Sequence, residues 1–123
     1  MDVHPEVLDA LASRRPVVAL ETALVTNGME PPTNLEIGRK LESLVRENGA
    51  VPATIGIIGG RIKIGLKDAE LQRLADVKNN KNVVKVSRRD IGAAVSLEKD
   101  GGTTICATLI FAAMAGVKVS IDQ

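Results

Sequence analysis

Two glycines, Gly59 and Gly60, separate an apolar run from a segment in which apolar and polar residues alternate. The apolar run, Pro52 to Ile58, is typical of a buried strand, whereas Arg61 to Leu66 has the period of a half-exposed strand. A Gly-Gly pair between two such runs predicts an antiparallel hairpin. A β-sheet is therefore expected at the centre of the fold.

Segments with helical spacing alternate with further strand-like runs on both sides of the hairpin. The patterns predict helices over 5–13, 33–48, 68–76, 88–99 and 103–115, and strands over 17–20, 52–58, 61–66, 83–87 and 117–121. Thr33 or Asn34 is expected to cap the second helix, and the glycines at 101–102 to break the chain. This order predicts a layered α/β fold with a mostly parallel sheet and one antiparallel hairpin.

The apolar residues of the second and last helices form two different patterns. The second helix is predicted to be amphipathic, because Ile37, Leu41, Leu44, Val45 and Asn48 share one side of it. The last helix, 103–115, is almost entirely apolar and is expected to be buried all round.

Composition excludes several functional classes. The net charge is +1 with acidic and basic residues mixed, and Phe111 is the single aromatic residue. Neither the basic surface nor the stacking side chains of nucleic-acid binders are available. The longest apolar run, Ile105 to Gly116, is shorter than the roughly 20 residues of a membrane span. The first residues do not resemble a secretory signal, so we expect a cytosolic protein.

The single cysteine, Cys106, lies in an apolar run and is expected to be a buried core residue. A catalytic thiol would need a histidine partner, and the only histidine is His4, near the beginning of the chain. No spacing of cysteines and histidines suits a metal site, so no metal ligand is predicted from these residues.

Glu21 directly follows the strand-like run Val17 to Leu20. A carboxylate at the end of a buried strand is partly desolvated, which favours its protonated form and suits it to proton transfer near neutral pH. It could equally be hydrogen-bonded to backbone amides or to an arginine at the sheet rim. Position alone favours this structural role.

Lys85 lies within the run Val83 to Ser87, which leads directly into a helix. A lysine inside an apolar strand either extends its ammonium group to solvent or meets an anion, such as the phosphate of a ligand. Ser87 and Asp90 have the spacing of a capping box. Arg88 and Arg89 oppose the helix dipole, so they require an anionic partner, either a phosphate or an acidic residue of a neighbouring subunit.

Gly101, Gly102, Thr103 and Thr104 precede the last helix. Glycines and hydroxyls before a helix can present unpaired amides to an anion, although a turn with a cap is the commoner use of such residues. The segment lacks the lysine of a P-loop and the third glycine of a dinucleotide fingerprint, so neither motif is inferred.

Five blocks of the sequence occur together in one order. They are Val17–Glu21, Glu47–Ile55, Ile62–Leu66, Val84–Asp90 and Gly101–Thr104. In this order they resemble the pseudouridine-5′-phosphate glycosidase family, which includes the indigoidine synthase A-like proteins. The resemblance covers about Pro5 to Val119.

The resemblance implies an enzyme, a hydrolase or lyase of pseudouridine catabolism and nucleotide metabolism, that cleaves the C–C glycosidic bond of pseudouridine 5′-phosphate to uracil and ribose 5-phosphate. It also implies an α/β/α fold, a trimer, and manganese as the metal. By the resemblance Glu21 is the proton donor and Lys85 binds substrate. Ile105 matches a further substrate-binding position and, having an apolar side chain, would act through its backbone.

The match departs from the family in two places. The family continues past Val119 with a glycine-rich segment, and its nucleophilic lysine and metal-binding aspartate match no residue here. We therefore expect 1–123 to be a single partial domain that is inactive by itself. The alternative is a non-catalytic fragment that binds a sugar phosphate or joins other subunits. Ala23 and Asn27 replace a threonine and a histidine, where altered substrate contacts are expected.

Overall fold

The computed structural model describes residues 1–117. Its strands are β1 (Asp2–Val3), β2 (Val17–Leu20), β3 (Val51–Ile58), β4 (Arg61–Ile64), β5 (Val83–Val86) and β6 (Asp100–Thr103). Its helices are α1 (Pro5–Ala12), α2 (Ala23–Asn27), α3 (Thr33–Glu47), α4 (Asp68–Ala75), α5 (Ile91–Ser96) and α6 (Ile105–Met114), with a 3₁₀ turn at Arg88–Asp90 before α5. The strand predicted over 117–121 lies almost wholly outside the described residues.

Strand β3 organises the sheet. Its carboxyl-terminal half pairs with β4 in the predicted antiparallel hairpin, and the order β1-β4-β3-β6-β5 follows, with β2 also pairing with β3. Among the described strands three pairings are parallel (β1·β4, β2·β3 and β5·β6) and two are antiparallel. The predicted α/β fold with a mostly parallel sheet is confirmed, and the antiparallel pairing of β3 with β6 is an addition that the sequence pattern did not indicate.

Helices cover both faces of the sheet. Apolar residues of α1, α5 and α6, such as Val7, Ala94 and Phe111, pack with Ile55 and Ile57 of β3 in one cluster. Residues of α2 and α4 form a second cluster that also includes Leu66. Two separate cores on a central sheet are the α/β/α arrangement.

The glycines Gly101 and Gly102 do not break the chain, and that prediction is wrong. They lie in β6 between β3 and β5, and both are buried. A Cβ atom at Gly102 would lie 2.7 Å from Cγ2 and 2.9 Å from Cβ of Thr26. Glycine is required here because α2 packs directly on the backbone of β6.

The start of α3 also differs from prediction. Thr33 is the first helical residue and Pro32 occupies the cap position. Asn34, predicted as a cap, is fully buried and its amide donates to the carbonyls of Val25 at 3.0 Å and Ala75 at 2.8 Å. This amide thereby ties together α2, α3 and α4.

The most deeply buried residues of α3 are not those of its apolar side, of which Ile37, Leu41 and Val45 are half-buried. Its buried residues are Asn34 and Gly38, while Leu44 is 45% exposed. The absence of a side chain at Gly38 brings α3 close to Val25 and Leu71, so contact with α2 and α4 sets the rotation of the helix.

Helix α6 is buried on one side only, which corrects the prediction of a wholly buried helix. It begins at Ile105 rather than Thr103, and Ile105 and Met114 are 64% and 61% exposed. Ala107, Phe111 and Ala112 provide the buried side. Among residues 1–117, no helix combines the length and the hydropathy that a membrane crossing requires.

A buried carboxylate, Asp100, joins four segments at the start of β6. It accepts hydrogen bonds from the Gly59 amide at 2.8 Å, from Asn80 at 2.7 Å, and from two nitrogens of Arg73 at 2.6 and 2.9 Å. Burial by itself would raise the pKa of the Asp100 carboxyl, but these donors outweigh it and hold that pKa below its ordinary value.

We predict that Gly102→Ala destabilises the protein by about 1–3 kcal/mol, the usual cost of overpacking, because rotating Thr26 cannot remove the clash with its own Cβ. Gly92→Ala is the matched control. Gly92 lies in α5 with no atom near its missing Cβ, and alanine there should stabilise by about 0.5–1 kcal/mol. Urea unfolding of both variants measures the two effects, and equal midpoints would contradict the close packing of α2 on β6.

We predict that Asp100→Ala lowers the free energy of unfolding by about 3 kcal/mol at pH 7, the lower end for breaking a buried ion pair, because Arg73 is half exposed. The stabilisation requires the carboxylate. It is complete above the unfolded pKa of about 3.9 and is lost as the pH falls through the lower folded pKa.

The difference between wild type and Asp100→Ala should therefore shrink on acidification below pH 4. Asp9→Ala removes an exposed partner of Arg15 and should cost less than about 1 kcal/mol. Urea unfolding between pH 3 and 7 gives both comparisons. A pH-independent difference for Asp100→Ala would contradict the role of its charge.

Candidate functional site

Three strands end at one place, beside Ile55 in the middle of β3. β2 runs parallel to β3 and stops opposite Thr54, while β6 runs antiparallel and reaches the same point at Thr103. The amide of Thr22 donates to the carbonyl of Thr103 at 3.1 Å. Val86, at the end of β5, is the register partner of Thr103. The carboxyl ends of β2, β5 and β6 therefore converge.

This convergence brings the three residues selected from the sequence into one neighbourhood. Glu21 precedes Thr22, Lys85 precedes Val86, and Ile105 follows Thr103 by two residues. Thr22 is hydrogen-bonded to Thr103, and Val86 is its register partner. Each of the three selected residues is therefore close along the chain to Thr103 or to one of its two partners. No pattern within the sequence indicated that β2 and β6 meet end to end.

Glu21 lies in the turn between β2 and α2 and is half-buried. Within residues 1–117 its carboxylate has neither a hydrogen bond nor an ion pair. The alternative of a carboxylate held by backbone amides or by an arginine at the sheet rim is thus not met in this part of the chain.

Lys85 is exposed at the end of β5, next to the capped turn. The predicted cap is present, because the Asp90 carboxylate accepts from the Ser87 amide at 3.0 Å and from its hydroxyl at 2.7 Å. These hydrogen bonds hold the pKa of Asp90 below its ordinary value, and the nearby charges of Arg89 and Lys85 lower that pKa further. Lys85 and Arg89 thus lie close enough to Asp90 to act on it electrostatically.

The amino terminus of α6 has two amides without an acceptor in the described part of the chain, those of Ile105 and Cys106. Thr104 caps the helix by accepting from the Ala107 amide at 3.3 Å, and its own amide donates to the Val86 carbonyl at 3.0 Å. The predicted cap is confirmed for Thr104. The unpaired amides were expected at the glycines, but Gly101 and Gly102 belong to β6. The unpaired amides are instead those that follow Thr104.

A surface groove of about 420 Å³ adjoins these amides and is lined by Ser87, Arg88, Arg89 and Cys106. Neither guanidinium forms an ion pair with residues 1–117, so both remain available to an anion. Cys106 is exposed, and the prediction of a buried core cysteine is wrong. It sits on the outer side of α6, which the all-apolar sequence did not distinguish from the inner side.

Three buried threonines, missed by the sequence analysis, connect the converging strands. Thr22 and Thr103 both donate their hydroxyls to the Ile55 carbonyl, at 2.7 and 2.9 Å, and Thr108 lies 2.8 Å from the Thr103 hydroxyl. The sequence could have indicated them only as threonines at positions where a buried apolar side chain would be expected.

The described residues do not form a metal site. Within 1–117, no group of three or more His, Cys, Asp or Glu side chains converges around a point where an ion could be held. Manganese, which the resemblance implies, therefore does not fit these residues, and no step is derived through it.

Comparison with known proteins covers nearly the whole chain. The family model described as indigoidine synthase A like protein matches residues 6–121. A pseudouridine-5′-phosphate glycosidase of Hahella chejuensis is 51% identical over 97% of the chain and 39% of its own length. The corresponding protein of Escherichia coli is 46% identical over 97% of the chain and 38% of its own length. The chain thus spans less than two fifths of the curated relatives it matches.

Two solved structures share the fold. The prealnumycin C-glycosynthase AlnA, in complex with ribulose 5-phosphate, has a TM-score of 0.80 and 44% identity, covering 96% of this chain and 37% of its own. An indigoidine synthase A-like protein from Thermotoga maritima has a TM-score of 0.76 and 30% identity, covering 85% and 35%.

We predict that Cys106, the single cysteine, reacts with an aromatic disulfide reagent in the native protein without denaturant, because its side chain is exposed. Thiol titration should give one equivalent per folded chain, and Cys106→Ser should give none. A thiol that reacts only after unfolding would contradict the orientation of α6.

Proposed function

The chain belongs to the indigoidine synthase A-like family, and on that premise we propose that it supplies the phosphate-binding and proton-donating part of a pseudouridine-5′-phosphate glycosidase site. The reaction consumes one water and cleaves the C–C glycosidic bond to give uracil and ribose 5-phosphate. The observation that carries the proposal is the placement of Glu21, Lys85 and the amides of Ile105 and Cys106 around one junction of three strands.

The phosphate end of the substrate is assigned to the start of α6. Unpaired amides at a helix amino terminus favour an anion through hydrogen bonds and through the helix dipole. Lys85, Arg88 and Arg89 add positive charge beside them, and Asp90 is already engaged by Ser87. A bound phosphate would also compensate for the position of Arg88 and Arg89, since the dipole of the helix that follows disfavours positive charge in this turn.

Glu21 is assigned the role of general acid. Cleavage of a C–C glycosidic bond requires a proton on the ring carbon of uracil as that bond breaks, and a carboxylic acid can deliver it. Glu21 is half-buried at the same junction and lacks a hydrogen-bond partner among residues 1–117, so its carboxyl group can face a ligand.

The remaining chemistry is assigned to residues outside this chain. The resemblance implies a lysine that attacks C1′ of the ribose, and none of the 123 residues matches it. We therefore assign binding of the sugar phosphate and protonation of the base to this chain, and we expect no turnover by the 123 residues alone.

The binding part is tested with ribose 5-phosphate as the probe. We predict that wild type binds it and that Lys85→Gln weakens binding about tenfold, the lower end for losing a charge-assisted hydrogen bond. Lys81→Gln is the matched control, since Lys81 is an exposed loop lysine away from the junction. Isothermal titration calorimetry measures the affinity of wild type, Lys85→Gln and Lys81→Gln for ribose 5-phosphate. Equal affinities for wild type and Lys85→Gln would contradict the assignment of Lys85.

The catalytic part of the same test uses pseudouridine 5′-phosphate and release of uracil. The 123-residue chain should release none, whereas a chimera that carries it in place of the matching segment of the Escherichia coli relative should be active. Glu21→Ala in that chimera should abolish release while ribose 5-phosphate still binds. Retained turnover would contradict Glu21 as the acid, and turnover by the 123 residues alone would contradict the assignment of the nucleophile.

A further inference from the structure

The three buried threonines at the strand junction form a directional hydrogen-bond chain. A hydroxyl has one proton, and those of Thr22 and Thr103 are both donated to the carbonyl of Ile55. Thr103 must therefore accept in its 2.8 Å contact with Thr108, so the Thr108 hydroxyl is the donor. The 3.4 Å approach of Thr22 to Thr103 then has no proton to share.

Thr22 uses its hydroxyl in an unusual way for its position. It is the N-cap residue of α2, and its carbonyl accepts from the amides of Val25 and Thr26 at 2.9 and 3.1 Å. A threonine N-cap normally also accepts a helix amide with its side chain. Here the hydroxyl instead accepts the Thr103 amide at 2.8 Å, so it serves the junction between β2 and β6.

The network is closed to solvent and complete. Thr22 and Thr103 are 0% exposed and Thr108 is 4% exposed. Within the described residues, no buried side-chain nitrogen or oxygen lacks a partner. Fully satisfied polar groups in a buried site fix one geometry, because any shift would leave a donor or an acceptor unpaired.

From this arrangement we propose that Thr22 and Thr103 are positioning residues, which hold Glu21 and the Ile105 amide at a fixed separation. Glu21 is bonded to Thr22 along the chain, and Ile105 follows Thr103 by two residues. Glu21 and the Ile105 amide are thus connected through the Thr22–Thr103 pair and the Ile55 carbonyl that both hydroxyls share. The proposal rests on the function proposed above.

Thr22→Val is the direct test. Valine keeps the shape of threonine but removes the hydroxyl, which leaves the Thr103 amide without its acceptor and the Ile55 carbonyl with one donor fewer, while the Thr22 amide can still donate to the Thr103 carbonyl. Ribose 5-phosphate should bind at least about tenfold more weakly, as expected for losing a charge-assisted hydrogen bond at a displaced amide. Thr22→Ser, which retains the hydroxyl, should stay within about twofold of wild type, well under the factor of ten that 1.4 kcal/mol represents.

Thr33→Val is the control, because Thr33 is exposed at the start of α3. All variants are titrated at a temperature where circular dichroism shows each of them folded. A merely structural role would lower the melting temperature of Thr22→Val and leave the affinity of the folded protein unchanged. That result would overturn the proposal.

A second measurement separates this proposal from the proposed function. The ¹⁵N–¹H resonances of Ile105 and Cys106 are compared in wild type, Thr22→Val and Thr22→Ser. They should move in the valine variant and return in the serine variant, while resonances of α4 stay in place. If wild type does not bind ribose 5-phosphate, the proposed function fails, and unmoved Ile105 and Cys106 resonances overturn the positioning role independently.

Should Thr22→Val not fold, Thr108→Val removes only the hydroxyl that donates to Thr103. Thr108→Val should shift the Ile105 resonance and weaken ribose 5-phosphate binding, as Thr22→Val is expected to do. The reason is that the Thr103 hydroxyl then keeps its bond to the Ile55 carbonyl but loses its bond from Thr108. An unchanged affinity and an unchanged Ile105 resonance in this variant would overturn the proposal.

Discussion

The carbonyl of Ile55 accepts two buried hydroxyls, and the convergence of three strands depends on it. A strand has two edges, and β3 gives one edge to β4 and shares the other between β2 and β6. Two strands that end against each other would leave backbone groups unpaired at the joint. Thr22 and Thr103 supply the missing partners, so the sheet remains continuous where the direction of its neighbours reverses.

The same joint allows a ligand site. Carboxyl ends of strands present loop and helix-start residues at one sheet edge, and a change in strand order opens a crevice there. Here β2 leads into α2 and β6 leads into α6, with β5 beside them. A carboxylate, a lysine and unpaired helix amides therefore come from three distant parts of the chain. The charges beside this edge are also arranged for an anion. The Asp90 carboxylate is hydrogen-bonded to Ser87, whereas Arg88 and Arg89 have no ion pair among the described residues.

Glycines set how closely the layers approach. Gly56 and Gly102 are register partners on the face that α2 and α4 cover, and a side chain at either would collide with Leu74 or Thr26. On the far end of β6 the buried Asp100 ties the hairpin to α4 through Gly59 and Arg73. The strand that carries the site is thus anchored at both ends, by a carboxylate at its start and by threonine hydroxyls at its end.

By itself the sequence determined the features that arise from local periodicity and local capping: the Gly59–Gly60 hairpin, the alternation of helices and strands, and the Ser87–Asp90 cap. It also singled out Glu21, Lys85 and Ile105, whose functional roles stay predictions. Only the tertiary structure decided that Gly101 and Gly102 form a strand and that Cys106 faces outward. A glycine pair is a turn signal until a neighbouring helix requires its missing side chains, and an all-apolar helix does not encode which side finds a partner. Proximity of the three strand ends follows from pairing between residues far apart in the chain, which no local pattern records.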